Sequence, residues 1–361
     1  MISGIDGKNC SSAGASEAEG PIDLRSDTVT RPTDAMYEAM LNASLGDDGL
    51  DGDPTACELE ETTARLLGKE AGVYFPSLTM ANLAAVMAQA GRQEIVLAQA
   101  ESHIYGAERG GASLSGAFYQ PIDGAGGAMD LDVLSDALDS NRSKLRTALV
   151  CLENSHNSAG GAVLSLAHME EVAAMAHRAG ASVHLDGARL FNAAVCLKAP
   201  VSALAAGTDT VAICLSKGLS APMGAVLAGP KAISGKARIL RRALGGSQRQ
   251  VGIAAAAGLV AVQSMTGRLE ADHESARRLS VRLKTIPGLR VSEPQTNIVL
   301  VDTRETGCTA KTWEALLRQA GVLARPWGKH MLRCVTHRHI SLEDVDKAAA
   351  AFAAVAEQQS A

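Results

Sequence analysis

An acid and a lysine follow two short apolar segments of this chain. Val183–Leu185 runs directly into Asp186, and Val211–Leu215 runs into Ser216 and Lys217. Both segments are predicted strands, and open α/β sheets bind ligands at the carboxyl ends of their strands. A lysine there can form a Schiff base, and an acid can pair with a pyridinium nitrogen. The two residues therefore predict a pyridoxal phosphate (PLP) site.

Three further residues could act on a substrate at such a site. Arg189 offers a planar fork that binds a carboxylate through two hydrogen bonds, although it would also serve as a structural partner of Asp186. His103 and His156 each follow an apolar strand, where an imidazole would stack on a cofactor ring or move protons near neutral pH. Because the chain has nine histidines, either one would equally be a loop residue bonded within the protein.

A candidate phosphate site lies between a predicted strand and a predicted helix, at Ser77-Leu78-Thr79. Backbone amides at a helix N-terminus, together with two hydroxyl groups, form a natural binding site for phosphate. The alternative is that Ser77 or Thr79 only caps the helix.

Composition excludes several classes of function. The chain has 361 residues, a net charge of −5 and 3% aromatic residues, which argues against a general surface for nucleic acid or anionic membranes. No apolar run reaches the roughly 18 residues of a membrane span. No histidine or cysteine spacing predicts a metal site, and no glycine-rich nucleotide motif follows a strand. A small molecule is therefore the expected partner.

The seven cysteines are scattered and include no CxxC pair. An odd number of isolated thiols predicts reduced cysteines, so we expect a cytoplasmic protein. Residues 1–20 lack the basic start and apolar core of a signal peptide, and we interpret them as a flexible extension.

Beyond that extension, strands and helices alternate, which predicts an α/β fold with a mostly parallel central sheet. We predict a large domain at 21–265 and a smaller α+β domain at 266–361, where the alternation restarts. The predicted helices and strands include helices ending at Leu41, Leu67, Ala90 and Arg178, a helix at Leu269–Leu283, and strands at Val96–Ala98, Ala148–Leu152 and Met331–Val335.

Eight blocks in a fixed order carry a family resemblance, from about Ile22 to Ala350. They are Asp23–Pro32, Gly46–Asp48, Asp53–Thr55, Leu152–Asn157, His184–Arg189, Ile213–Gly218, Gly245–Gln250 and Arg333–His337. The chain resembles the low-specificity L-threonine aldolases, in the β-eliminating lyase group of fold-type I PLP enzymes. The resemblance implies helices on both faces of the central sheet, and dimers or tetramers with active sites at the subunit interface.

The resemblance also implies a role for each matching residue. Lys217 would carry the Schiff base, Asp186 would hold the pyridinium nitrogen, and His103 would stack on the ring as a candidate acid or base. The phosphate would be held by Ser77, Leu78 and Thr79, with Arg249 from a neighbouring subunit. The substrate carboxylate would be bound by Ser26, Arg189 and Arg333, and His156 and Glu153 would line the same cavity.

Three positions depart from the family pattern. Gly49-Leu50 stands where relatives have Val-Tyr, which removes a phenol, and Leu78 replaces the glycine of the phosphate loop. Leu78 would still offer its backbone amide if its φ angle is negative. Ser143 replaces a second active-site histidine, which leaves His103, or a water held by His156, as the expected base.

The expected reaction is cleavage of the Cα–Cβ bond of a β-hydroxy-α-amino acid into glycine and an aldehyde. A transaminase, a β-eliminating lyase or a decarboxylase would use the same lysine and acid, because the reaction depends on which Cα bond is held perpendicular to the ring. A protein that binds PLP without turnover is the alternative of a different class.

Overall fold

The computed structural model describes residues 20–141 and 145–360. The expected extension at 1–20, apart from Gly20, and the departure at Ser143 lie outside the described residues. The α-helices of this part of the chain, in order, are α1 (Asp34–Leu41), α2 (Pro54–Leu67), α3 (Leu78–Gln89), α4 (His103–Gly106), α5 (Ala112–Ser115), α6 (Leu131–Asn141), α7 (Leu166–Arg178), α8 (Leu190–Leu197), α9 (Val201–Ala205), α10 (Lys231–Ala243), α11 (Gly252–Ser264), α12 (Leu269–Leu283), α13 (Ala310–Gln319) and α14 (Leu342–Ser360).

The strands are β1 (Ile22–Asp23), β2 (Ala71–Phe75), β3 (Ile95–Gln99), β4 (Phe118–Ile122), β5 (Gly124–Ala125), β6 (Ala128–Met129), β7 (Thr147–Glu153), β8 (Ser182–Gly187), β9 (Thr210–Cys214), β10 (Ala225–Gly229), β11 (Arg290–Val291), β12 (Ile298–Asp302), β13 (Val322–Leu323), β14 (Arg325–Pro326) and β15 (Met331–Val335).

The helix boundaries follow local capping chemistry. Helices α1 and α12 have the predicted ends at Leu41 and Leu283. The apolar spacing from Cys57 to Leu67 predicts the start of α2 at Cys57, whereas the helix begins three residues earlier, at Pro54. The reason is Asp53, whose side chain accepts the Ala56 amide at 3.0 Å and places proline in the first helical turn.

The central sheet has seven strands in the order β2-β10-β9-β8-β7-β3-β4. Strand β10 is antiparallel to both of its neighbours, and the other pairs are parallel. This mostly parallel sheet confirms the prediction of an α/β fold.

Both faces of the sheet are covered, as alternation along one strand illustrates. On β7, Val150 and Leu152 pack into one hydrophobic cluster, whereas Leu149 and Cys151 pack into another. Successive side chains of a strand point to opposite faces, so a strand that is buried on both faces has a continuous apolar sequence.

A second sheet, β11-β12-β15-β14, forms the centre of a separate hydrophobic cluster. Trp313 and Phe352 stack within that cluster with ring centroids 5.8 Å apart. Leu24 packs there too, because β1 pairs with β13 in parallel. Residues 22–24 therefore pack against the C-terminal region, and the chain joins the large sheet only after them. The domain boundary at 265 stays a prediction.

The register of the large sheet brings polar residues together at one edge. Glu153, at the end of β7, pairs directly with Asp186 on β8. Gly187 pairs with Ile213 on β9, four residues before Lys217. Carboxyl ends of parallel strands lie at the same edge, which is where this fold binds ligands.

Candidate active site

A cavity of about 380 Å³ lies at this edge of the sheet. It is lined by six of the residues singled out in the sequence: Ser26, His103, Glu153, Arg189, Lys217 and Arg333. Their sequence separation exceeds 300 residues, so the fold alone brings them together.

Asp186 lies beside the cavity as a buried carboxyl group that is held on both oxygens. Oδ2 accepts a hydrogen bond from Asn82 Nδ2 at 2.9 Å, and Oδ1 accepts the Ala188 amide at 2.9 Å. Burial, followed by the charges of Glu153 and Glu108, raises the pKa of Asp186 to about 7, while the Lys217 charge opposes this. A buried cation at this point would relieve the repulsion among these carboxylates, which is the requirement that a pyridinium nitrogen meets.

Glu153 is a second buried carboxylate, and it lines the cavity. Its two oxygens accept the amides of His103 at 2.6 Å and Asn157 at 2.8 Å. Burial raises the pKa of Glu153 against these two hydrogen bonds. Glu153 therefore fixes the two loops that carry His103 and Asn157.

His103 begins α4 and presents its ring to the cavity with 40% of the side chain exposed. Its Nδ1 is 2.9 Å from Glu108 Oε1, and this hydrogen bond raises the pKa of His103. A carboxylate can only accept, so Nδ1 carries a proton and Nε2 of the neutral ring is the free acceptor.

His156 does not line the cavity, contrary to expectation. Its Nε2 bonds Gln99 Oε1 at 3.1 Å, and its Nδ1 accepts the Ala159 amide at 3.2 Å. The ring is fully buried, and burial lowers the pKa of His156. Since both ring nitrogens are used within the protein, His156 supports the loop and is not in place to hold a water for the reaction.

Arg189 is committed to a carboxylate that sequence reasoning did not assign. Its Nε and Nη2 donate to Asp27 at 2.8 and 2.7 Å, and both side chains are almost fully buried. Although burial by itself raises the pKa of Asp27, the Arg189 charge holds it well below its usual range. Arg189 is therefore paired with Asp27, not with Asp186. It also lines the cavity, where its Nη1 donates to Asn157 Oδ1 at 3.1 Å, and its role toward the substrate carboxylate stays a prediction.

Arg333 lacks such a partner. Its Nη1 donates to Asn157 Oδ1 at 2.8 Å and its Nη2 to the Arg25 carbonyl at 3.2 Å, while Nε has no partner among the described residues. Burial, with the charges of Arg189 and Arg325, lowers the pKa of Arg333 to about 10. A buried guanidinium without a counter-ion is stabilised when a carboxylate binds to it, so the predicted role of Arg333 toward a substrate carboxylate fits this environment.

Ser26 lies in the same cavity and complements Arg333. Its Oγ accepts the amide of Thr28 at 3.2 Å and the hydroxyl of Thr28 at 2.9 Å. With both acceptor positions used, the hydroxyl proton of Ser26 is available to donate to a carboxylate.

The predicted phosphate segment forms the start of α3. The Ser77 hydroxyl accepts the Met80 amide at 3.3 Å, which leaves the amides of Leu78 and Thr79 without an intrahelical acceptor. Leu78 is helical, so the bulkier side chain leaves its amide in place. The Thr79 hydroxyl, however, donates to Glu108 Oε1 at 2.7 Å.

Arg249 lies outside the cavity of its own chain. Its side chain is 72% exposed, and its Nη1 is 3.2 Å from Asp47 Oδ1. Leu50, at a position that departs from the family pattern, lies on the loop that carries Asp47, and its side chain is 78% exposed.

Sequence reasoning missed four polar residues of this region: Asp27, Asn82, Glu108 and Asn157. Asp27 and Asn157 lie inside blocks that carry the resemblance, and that was the available signal. Asn82 and Glu108 lie outside those blocks and gain meaning only from their partners in the fold, such as Asn82 with Asp186.

The described residues contain no group of three or more histidine, cysteine, aspartate or glutamate side chains placed to hold a metal ion. In the same ranges, no helix combines the length and the apolarity that crossing a membrane requires.

The chain belongs to the β-eliminating lyase family, whose model matches residues 23–306. It is 41% identical to low-specificity L-threonine aldolase 1 of Arabidopsis thaliana, over 90% of this chain and 93% of that protein. It is 37% identical to the low specificity L-threonine aldolase of Escherichia coli K12, over 91% of this chain and 97% of the other. These matches confirm the predicted family, and family membership assigns PLP as the cofactor.

Among solved structures, a threonine aldolase of Leishmania major superposes with a TM-score of 0.80. The match covers 93% of this chain and all of that one, at 18% sequence identity. At this identity the likeness concerns the fold, and it confirms the predicted fold-type I architecture.

Proposed function

We propose that this protein is a PLP-dependent aldehyde-lyase. It cleaves L-threonine, L-allo-threonine and related β-hydroxy-α-amino acids into glycine and an aldehyde. The observation that carries the proposal is one cavity holding Lys217, the unpaired Arg333 and His103. These supply an amine for the cofactor, an anchor for the substrate carboxylate and an acceptor for the hydroxyl proton.

Residues on three elements fit the cofactor. Lys217, after β9, offers the amine, and Asp186 on β8 offers a carboxylate that a ring cation would stabilise. The free amides of Leu78 and Thr79, with the hydroxyl of Ser77, offer a phosphate site at the start of α3. When bound, PLP accepts into its ring the electrons of the bond that breaks at Cα.

Arg333 and Ser26 bind the substrate carboxylate in this proposal. Nη1 and Nη2 of Arg333 each use one of their two protons within the protein, so their second protons and the hydroxyl proton of Ser26 are the donors that remain for the carboxylate. Anchoring the carboxylate fixes rotation about the Cα–N bond, and this rotation decides which Cα bond stands perpendicular to the ring. Arg189 lines the same cavity and is held by its ion pair with Asp27, so the role that the resemblance gives it toward the carboxylate remains part of this proposal.

His103 takes the proton of the β-hydroxyl group. Its hydrogen bond with Glu108 leaves Nε2 as the proton acceptor on the cavity side of the ring. His156 is not available for this step, because both of its nitrogens are bonded within the protein.

A second copy of the chain completes the site. The loop and helix near Arg249 expose several large apolar side chains, namely Tyr37, Leu41, Leu45, Leu50 and Ile253. An apolar surface of this kind is typical of an interface between copies. Such an interface would carry the exposed Arg249 toward the phosphate site of a partner and give a dimer or tetramer.

A cytoplasmic location belongs to the same proposal. The six cysteines among the described residues are free thiols, and three of them, Cys151, Cys214 and Cys334, are buried. Free, buried thiols are typical of reducing compartments.

Product analysis tests the activity. The purified holoenzyme is incubated with L-threonine, L-allo-threonine and phenylserine, and glycine and aldehyde are measured. We expect equal amounts of both products, and we expect Lys217→Ala to lose the visible absorbance of bound PLP after dialysis. No aldehyde from any of the three substrates would reject the proposal.

The alternatives have their own signatures in the same assay. Turnover that depends on a keto acid would indicate a transaminase, and pyruvate from serine or cysteine would indicate β-elimination. PLP absorbance without turnover of any amino acid would indicate a binding protein.

A further inference from the structure

Glu108 lies at the edge of the active site with 8% of its side chain exposed, and no motif of the sequence marks it. It follows α4, and its carboxylate receives three side-chain hydrogen bonds. Oε1 accepts from His103 Nδ1 at 2.9 Å and from the Thr79 hydroxyl at 2.7 Å, and Oε2 accepts from Asn82 Nδ2 at 3.2 Å. Three donors offset the cost of burying a charge.

Asn82 connects Glu108 to the carboxylate expected at the ring nitrogen. Its Nδ2 group donates to Asp186 Oδ2 at 2.9 Å as well as to Glu108. An amide nitrogen carries two protons, so both hydrogen bonds can exist together. One side chain therefore joins the two carboxylates.

Hydrogen-bond directions fix this orientation of Asn82. The Glu108 carboxylate, whose pKa is lowered, can only accept, so Asn82 turns its Nδ2 toward Glu108 and Asp186 and its Oδ1 toward His184. His184 Nε2 therefore donates to Asn82 Oδ1 at 3.1 Å. Burial lowers the pKa of His184 to about 4, so the ring is neutral and its Nδ1 accepts from the Thr210 hydroxyl at 2.9 Å.

We propose that Glu108 is a positioning residue of the active site, because its carboxylate orients the imidazole of His103 and, through Asn82, the carboxylate of Asp186. This inference rests on the proposed function for its meaning in catalysis. It adds to that function a residue that decides the tautomer and the orientation of the base.

Three acidic groups face His103. Glu108 raises its pKa most, through the hydrogen bond and through its charge, and Asp186 and Glu153 add smaller charges, while burial opposes all three. Replacing Glu108 by glutamine removes the largest of these contributions. We therefore expect His103 in the Glu108→Gln variant to titrate about one pH unit lower.

The first measurement is a histidine Cε1–H NMR titration of the full chain, with the His103 signal assigned by its absence in His103→Asn. The second is the pH profile of kcat/KM of the holoenzyme with L-threonine. In Glu108→Gln, the midpoint of the His103 NMR titration should move to lower pH. The limb of the kcat/KM profile that His103 governs should move in the same direction. The control, Glu305→Gln, removes one exposed carboxylate that pairs with Arg290 outside the site, and it should change neither.

A double-mutant cycle separates positioning from a general structural role. If Glu108 acts through His103, Glu108→Gln lowers kcat about tenfold or more in the wild-type background and less than twofold in the His103→Asn background. Glu108→Asp, which keeps the charge, should recover part of the His103 shift, and it serves as the second variant if Glu108→Gln fails to fold.

An unchanged His103 titration in Glu108→Gln, or equal losses of kcat in both backgrounds, would overturn the inference. The NMR titration needs no substrate. It therefore decides whether Glu108 controls His103 even if no aldehyde is formed and the proposed function fails.

Discussion

Replacing Asp27 by asparagine tests whether the buried pair with Arg189 holds the site together. The substitution keeps the size of the side chain but leaves the Arg189 guanidinium, which is 3% exposed, without its counter-ion. Removing one partner of a buried pair costs about 3–5 kcal/mol, because the other charge stays buried and uncompensated. The stability of a folded protein is about 5–15 kcal/mol, so this is a large fraction of it.

The expected shift in melting temperature follows from the size of the chain. With an unfolding entropy of about 2 cal/mol/K per residue, a loss of about 4 kcal/mol lowers the melting temperature of 361 residues by roughly 5 °C. Thermal unfolding followed by circular dichroism measures this shift at pH 7.

The chain supplies a matched control in Asp23, which binds Arg25 with the same two-point geometry. That pair is exposed, at 21% for Asp23 and 44% for Arg25, so Asp23→Asn should cost less than about 1 kcal/mol. Equal shifts for Asp27→Asn and Asp23→Asn would refute the reasoning, because burial is the main difference between the two pairs.

The pH dependence gives a second check on the same variant. The pKa of Asp27 is lowered in the folded protein, so the pair contributes its stability above the unfolded pKa of about 4. That contribution is lost as the pH falls toward the folded pKa. The stability difference between wild type and Asp27→Asn should therefore narrow below about pH 4, and a difference that widens there would contradict the assignment.

Three further outcomes are expected. Arg333→Lys keeps the positive charge but loses the planar guanidinium that can bind a carboxylate through two hydrogen bonds. In steady-state kinetics, the KM for L-threonine should therefore rise about 10- to 100-fold, with kcat changed less than fivefold. Trp327→Ala removes the ring 4.3 Å from the Arg333 guanidinium, and KM should rise about fivefold; an unchanged KM would dismiss the stacking. The pKa of Asp186 is about 7, so below that pH protonation removes the carboxylate that would pair with the ring nitrogen. In a fluorescence titration, the protein freed of cofactor should therefore bind PLP about tenfold more weakly for each pH unit below 7, and Asp186→Asn should lack this dependence.

Much of the framework was predictable because it depends on local patterns. Apolar strands followed by polar residues located Asp186 at the end of β8 and Lys217 shortly after β9. The central sheet then follows, since alternating strands and helices have few ways to pack. The roles proposed for Lys217, Asp186 and Arg249 remain predictions.

The partners of charged side chains were not predictable. Arg189 carries the right group for binding a carboxylate, yet the fold delivers Asp27, 162 positions away in sequence, to its fork. His156 has the right chemistry for proton transfer, yet Gln99 and Ala159 occupy both of its nitrogens. Such pairings depend on which loops meet at the sheet edge, and no local pattern encodes that.

The sequence by itself determined the fold class, the family and the strand-end position of the lysine and the acid, because each of these depends on residue order along the chain. Only the tertiary structure decided that Arg189 pairs with Asp27, that both ring nitrogens of His156 are bonded within the protein, and that Glu108 lies between His103 and Asn82. The physical reason is that the availability of a charged or polar group depends on the partners within about 3 Å of it, and long-range packing supplies those partners.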